Sequence, residues 1–121
     1  MPKTSRCGKT ALALAGLAAT PVLAGDIDTD LAARGKALVY ANCARCHATG
    51  LDDASPHEKA PPFRRVVEIY PSEDLAEALA EGIVSGHPDM PVFVFKTGEI
   101  EEFLAYLNSL YEAGKSRGSA E

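Results

Sequence analysis

Cys43-Ala44-Arg45-Cys46-His47 puts two thiols and an imidazole within five residues. On a helix, positions three and four apart share a face. Cys43 and Cys46 can then reach the two vinyl edges of one porphyrin, while His47 offers its imidazole to iron from the same side. C-x-x-C-H at this spacing reads as a covalent haem c attachment site. Three other chemistries use the same residue types. A thioredoxin-like redox pair needs a βαβ setting, which this sequence does not supply. Zinc would need four ligands, and His57 and His87 could be added to the cysteines. The ten residues between Cys46 and His57 and the 29 between His57 and His87 fit no common finger or ribbon. A Cys43–Cys46 disulfide would close only a tiny loop.

The chain around the motif reads as an exported protein. Lys3, Arg6 and Lys9 form a positive start, Ala11 to Ala19 an uncharged run, and Val22-Leu23-Ala24 a signal-peptidase site. Residues 1–24 are therefore expected to be a signal peptide and residues 25–121 a single monohaem domain. The apolar run is shorter than the roughly 20 residues of a spanning helix, so no stable membrane insertion is expected after cleavage. Cys7 precedes the apolar run, where a lipid-attachment cysteine would follow it. Outside the signal, nine Lys and Arg face 17 Asp and Glu, moving the net charge from −5 to −8 (9 minus 17). Such acidity argues against nucleic acid as a partner and suits docking to a basic patch on another protein. Only Cys43, Cys46 and Met90 remain as sulfur-bearing residues.

Helices must position these groups. The pattern predicts a helix from about Asp30 to Ala44, which carries the motif. Gly50, Asp52, Asp53, Pro56, Pro61 and Pro62 make residues 48–62 a loop. A short helix is expected over Phe63 to Tyr70, stopped by Pro71. Ser72 is the expected N-cap of the next helix, with Glu73 and Asp74 near its positive end, and Gly86 is its expected stop. Residues 86–96, with Pro88 and Pro91, read as a loop containing Met90. Ile100, Phe103, Leu104, Leu107 and Leu110 recur at helical spacing in a last helix, from Thr97 or Gly98 to a stop at Gly114. The end to Glu121 is expected to fray. Strand alternation is confined to a short stretch, Val92 to Phe95. The fold class is all-α, with about four short helices around a covalently bound haem.

These pieces together resemble a small bacterial class I (mitochondrial-type) cytochrome c. The resemblance covers nearly all of residues 31–112. It rests on Gly35 to His47, Ala60-Pro61-Pro62-Phe63, Asp89-Met90-Pro91 and Phe103-Leu104-Ala105-Tyr106-Leu107. It implies that the first and last helices cross, with Gly35 as the small residue and Tyr106 as the aromatic. One position departs from the pattern: an aromatic is expected four residues after Gly35, where Val39 stands, and Tyr40 comes next.

The resemblance also implies a ligand set. His47 binds the iron, and Met90, in a Met-Pro pair, is the expected sixth ligand; His/Met ligation raises the haem potential. His87, in the same loop, is the rival ligand, and His57 is expected to be solvated. A proline carbonyl after the motif receives the other imidazole N–H, with Pro61 the expected residue and Pro62 the alternative. Phe63 is expected on the porphyrin, and Arg64, Arg65 or Tyr70 at a propionate. The implied function is one-electron transfer by a soluble, monomeric periplasmic carrier, not an enzyme, between a redox donor and acceptor. Two alternatives stand beside it. One is a gas sensor or peroxidase-like protein with an open sixth position. The other is a dedicated electron-accepting subunit of a dehydrogenase.

Overall fold

A computed structural model describes residues 25–82 and 89–120. Its helices are α1 (Gly25–Cys43), α2 (Phe63–Ile69), α3 (Ser72–Glu81) and α4 (Thr97–Gly118). Among the described residues there is no strand, and the fold is all-α, as the sequence leads one to expect.

The main helix–helix contact joins α1 to α4, and α2 and α3 also pack on α4. Gly35 makes the crossing possible. A Cβ there would lie 1.8 Å from the Glu102 carbonyl oxygen and 2.9 Å from Tyr106 Cβ. No residue but glycine fits that approach. One turn on, Val39 is fully buried, and it meets a core that includes Leu107, Tyr106 and Leu110 of α4. Tyr40 points outward and is 71% exposed, so the aromatic next to the expected position takes no part in the crossing. Arg34 ties the rim of the contact, donating from Nε to Glu102 at 2.8 Å and from Nη1 to Asp30.

The helix ends follow local chemistry. The Pro62 carbonyl accepts the N–H groups of Arg65 and Val66, which opens α2 at Phe63. Pro71 then closes α2 and sits at the N-cap of α3. Ser72 is therefore the first residue inside α3 and not its cap; its hydroxyl turns to Asn108 Oδ1 at 3.4 Å. Glu73 and Asp74 do occupy the first turn, where the helix dipole favours negative charge.

α3 stops at Glu81, short of the expected end at Gly86. Gly82 has φ +96°, a conformation that only glycine adopts readily. A Cβ at Gly82 would also crowd Val92 Cγ1 at 3.0 Å and Val94 Cγ2 at 3.3 Å. At its own N-terminus, α4 gains a bond from the Lys96 N–H to the Glu99 carboxylate at 2.9 Å. It runs four residues past Gly114. Lys115 and Arg117 suit the negative end of the dipole, and Arg117 donates twice to Asp52, at 2.7 and 2.9 Å.

The segment between α1 and α2 has no helix of its own, yet nearly every turn of it is tied down. The Asp53 carboxylate accepts the N–H groups of Thr49 and Gly50, each at 2.9 Å. Ser55 Oγ accepts the Ala48 N–H at 3.0 Å. Arg64 donates to the carbonyls of Gly50 and Asp53, at 3.2 and 2.9 Å. From α4, the Tyr106 hydroxyl donates to the Thr49 carbonyl at 2.6 Å. This loop is the floor on which His47 is set.

Candidate haem-binding site

Cys43 is the last residue of α1, and its carbonyl accepts the N–H groups of Cys46 at 3.0 Å and His47 at 2.9 Å. The helical turn thus carries one step past its formal end. That holds Cys43, Cys46 and His47 on one face, as the spacing requires. Both cysteines are free thiols and half-buried. Burial, with the neighbouring Cys46 second, pushes the Cys43 thiol up to about 11. A disulfide oxidoreductase of the thioredoxin kind sets its cysteine pair after a strand, and there is no strand among the described residues. Nor do three His, Cys, Asp or Glu side chains converge on a metal-sized site among the described residues. His87, counted with zinc and with the sixth ligand, lies outside them.

His47 Nδ1 stands 2.8 Å from the Pro61 carbonyl oxygen. The carbonyl can only accept, so Nδ1 carries the proton, and Nε2 keeps its lone pair for a metal. The Pro62 carbonyl is taken up by the first turn of α2, leaving Pro61 as the proline at the imidazole. Phe63 lies parallel to the imidazole, with centroids 4.9 Å apart and planes 6° apart. Phe103 of α4 meets Phe63 edge-on at 5.7 Å and fixes its tilt. Residues 61–63 therefore hold the ring of His47 from its Nδ1 edge and from one face.

Met90 is half-buried in the segment between Asp89 and Pro91. The segment that follows rejoins the core at Phe95. There the backbone N–H donates to the Leu79 carbonyl at 3.0 Å, and the ring stacks with Phe93 at 5.9 Å and Phe103 at 6.4 Å. Val92 to Phe95 form no strand.

Arg64 is committed to the loop carbonyls and Arg65 pairs with Glu68 at 3.0 Å, so each guanidinium already has a partner; Tyr70 is half exposed. His57 is not simply solvated: backbone and ring are both engaged, and Nε2 lies 3.7 Å from Asp89 Oδ2. In the sequence Asp53 counts only as one of the residues that make 48–62 a loop; in the structure its carboxylate reaches back to the N–H groups of Gly50 and Thr49. The His57–Asp89 contact, between residues far apart in the chain, leaves no local signal.

The donor set fits a covalent haem. Two thiols share a face with an imidazole whose outer nitrogen is free to bind, and a thioether stands in a proline-flanked segment. An all-α domain built around such a motif defines a c-type haem protein. The cytochrome c family model matches residues 32–111, and the chain belongs to the cytochrome c family. It is of the class I type, and binds haem c covalently with its iron. Its role is haem-based electron transfer, which implies redox partners. No curated protein and no solved structure matches the chain. No helix among the described residues is long and apolar enough to cross a membrane.

Proposed function

We propose that the chain is a one-electron carrier of the periplasm whose haem is linked to Cys43 and Cys46 and bound axially by His47 and Met90. Residues 1–24 act as an export signal, and residues 25–121 form the working monomer. The bond between His47 Nδ1 and the Pro61 carbonyl carries this reading most directly. It fixes the tautomer and ring orientation of a metal-binding histidine, as such partners do.

When bound, the haem supplies an iron that changes oxidation state by one electron. The protein's part is to hold the ligands still and keep water away. The Pro61 carbonyl draws on the Nδ1 proton and makes Nε2 a better donor to iron. Phe63 and Phe103 keep the imidazole from swinging between oxidation states. Pro91 stiffens the segment that presents Met90, and the soft thioether favours ferrous iron and a raised potential. If His47 and Met90 both held the iron, the chain would leave no site open for substrate or gas. That is why carrier, not enzyme or sensor, is the reading. The acidic surface suits donor and acceptor proteins with basic docking patches.

Potentiometry and ligand binding on the haem-matured protein test this. The expected result is a reversible one-electron wave, with a slope near 59 mV per decade, and no carbon monoxide adduct of the ferrous form. Rapid carbon monoxide binding, or turnover of peroxide, would replace the carrier with a sensor or a peroxidase. Recovery from the periplasmic fraction with Gly25 as first residue is the matching test of export.

A further inference from the structure

His57 is the point where the loop after the haem motif meets the segment of Met90. Its backbone N–H donates to the Cys46 carbonyl at 3.1 Å, and its own carbonyl accepts the Ala60 N–H at 3.0 Å. Its Nδ1 accepts the Lys59 N–H at 3.2 Å. That contact leaves the proton of the neutral ring on Nε2, the atom that faces Asp89 Oδ2 at 3.7 Å. The backbone of His57 is thus fixed to the residue just before His47, and its ring faces the residue just before Met90. One side-chain pair connects the neighbours of both axial positions.

We propose that His57 is a positioning residue for the sixth ligand: paired with Asp89, it braces the Met90 segment against the haem motif and sets how readily Met90 leaves the iron. The inference rests on Met90 being that ligand. A half-exposed pair contributes little to global stability. Release of a ligand loop, however, is a local opening that draws on small free energies. Loss of the pair therefore raises the population with Met90 detached by about two- to five-fold.

The test is an imidazole titration of the haem-matured full chain, followed through the weak far-red band of methionine-bound ferric iron. His57→Ala and Asp89→Ala should each raise the apparent imidazole affinity about two- to five-fold, and the double variant no further, since both remove one contact. His57→Gln, whose amide can still face Asp89, should stay near the wild type. Glu58→Gln, beside His57 but outside the contact, should leave the affinity unchanged. Additive effects in the double variant, or no change in Asp89→Ala, would overturn the inference. If His57→Ala fails to mature, Asp89→Ala decides alone, because its side chain is exposed. A band in the wild type with unaltered affinities throughout sinks only the brace. A wild type that has no band sinks the Met90 ligation and the brace together.

Discussion

The Pro61 carbonyl lies 2.8 Å from His47 Nδ1, across 14 residues of chain, and joins the start of α2 to the turn that ends α1. The bond is made by backbone, so a side-chain change cannot delete it but can loosen it. Pro61→Ala frees the loop and should cost about 0.5–1 kcal/mol in denaturant unfolding. In the reduced protein the Nδ1 proton of His47 should exchange measurably faster than in the wild type. Equal exchange rates would mean that the ring is held by Phe63 stacking alone.

Two glycines of the long helices should respond in opposite directions to alanine. At Gly35 a methyl group would strike the Glu102 carbonyl, so Gly35→Ala should destabilise by about 2–3 kcal/mol or prevent folding. Gly114 lies inside α4 with nothing within 4 Å of an added Cβ. Gly114→Ala should therefore stabilise by about 0.5–1 kcal/mol, since alanine favours helix. Equilibrium unfolding of both variants checks the pair.

Tyr106 links the helix crossing to the motif loop, and its loss should show a pH signature. Tyr106→Phe removes the bond to the Thr49 carbonyl and should cost about 0.5–1.5 kcal/mol at neutral pH. Burial, then the charge of Asp53, raises the phenol above its ordinary value of 10.0. A raised value favours the neutral phenol in the folded state. Its contribution is therefore complete below pH 10 and lost as the pH climbs beyond it. Between pH 9 and 11 the wild type should lose stability relative to Tyr106→Phe; a constant difference would contradict this.

Adjacent aspartates separate a structural hydrogen-bonding role from a surface ion pair. Asp53 accepts two backbone N–H groups, so Asp53→Ala should cost about 1–3 kcal/mol. The Asp52–Arg117 pair is solvent-exposed, and Asp52→Ala should change stability by no more than about 1 kcal/mol, less in high salt. Thermal melts at two salt concentrations distinguish them.

Much of this was legible in the sequence because the spacing of a few residues carries it. The motif turn, the small residue at Gly35, the prolines bounding α2 and the apolar period of α4 each constrain geometry locally. What was not legible depends on the surroundings. Gly82 follows the last residue of α3 because its positive φ breaks the helix and Val92 and Val94 leave little room for a Cβ there; Gly86 lies outside the described residues. Gly114 does not end α4, because nothing forces a positive φ there and Arg117 finds Asp52 beyond it. Ser72 loses the cap to Pro71, since only Tyr70 and Pro71 stand between α2 and α3 and the helix opens directly after the proline. Tyr40 and Val39 are told apart only by the packing of α1 on α4.

Met90 is proposed as the second residue, with His47, that would hold the haem iron. The most direct measurement is the optical spectrum of the haem-matured ferric protein, for the wild type, Met90→Ala and His87→Ala. Covalent haem is expected in all three, with a far-red methionine–iron band present in the wild type and His87→Ala but gone in Met90→Ala. Covalent haem with no such band in the wild type, or a band that survives Met90→Ala, would contradict the proposal.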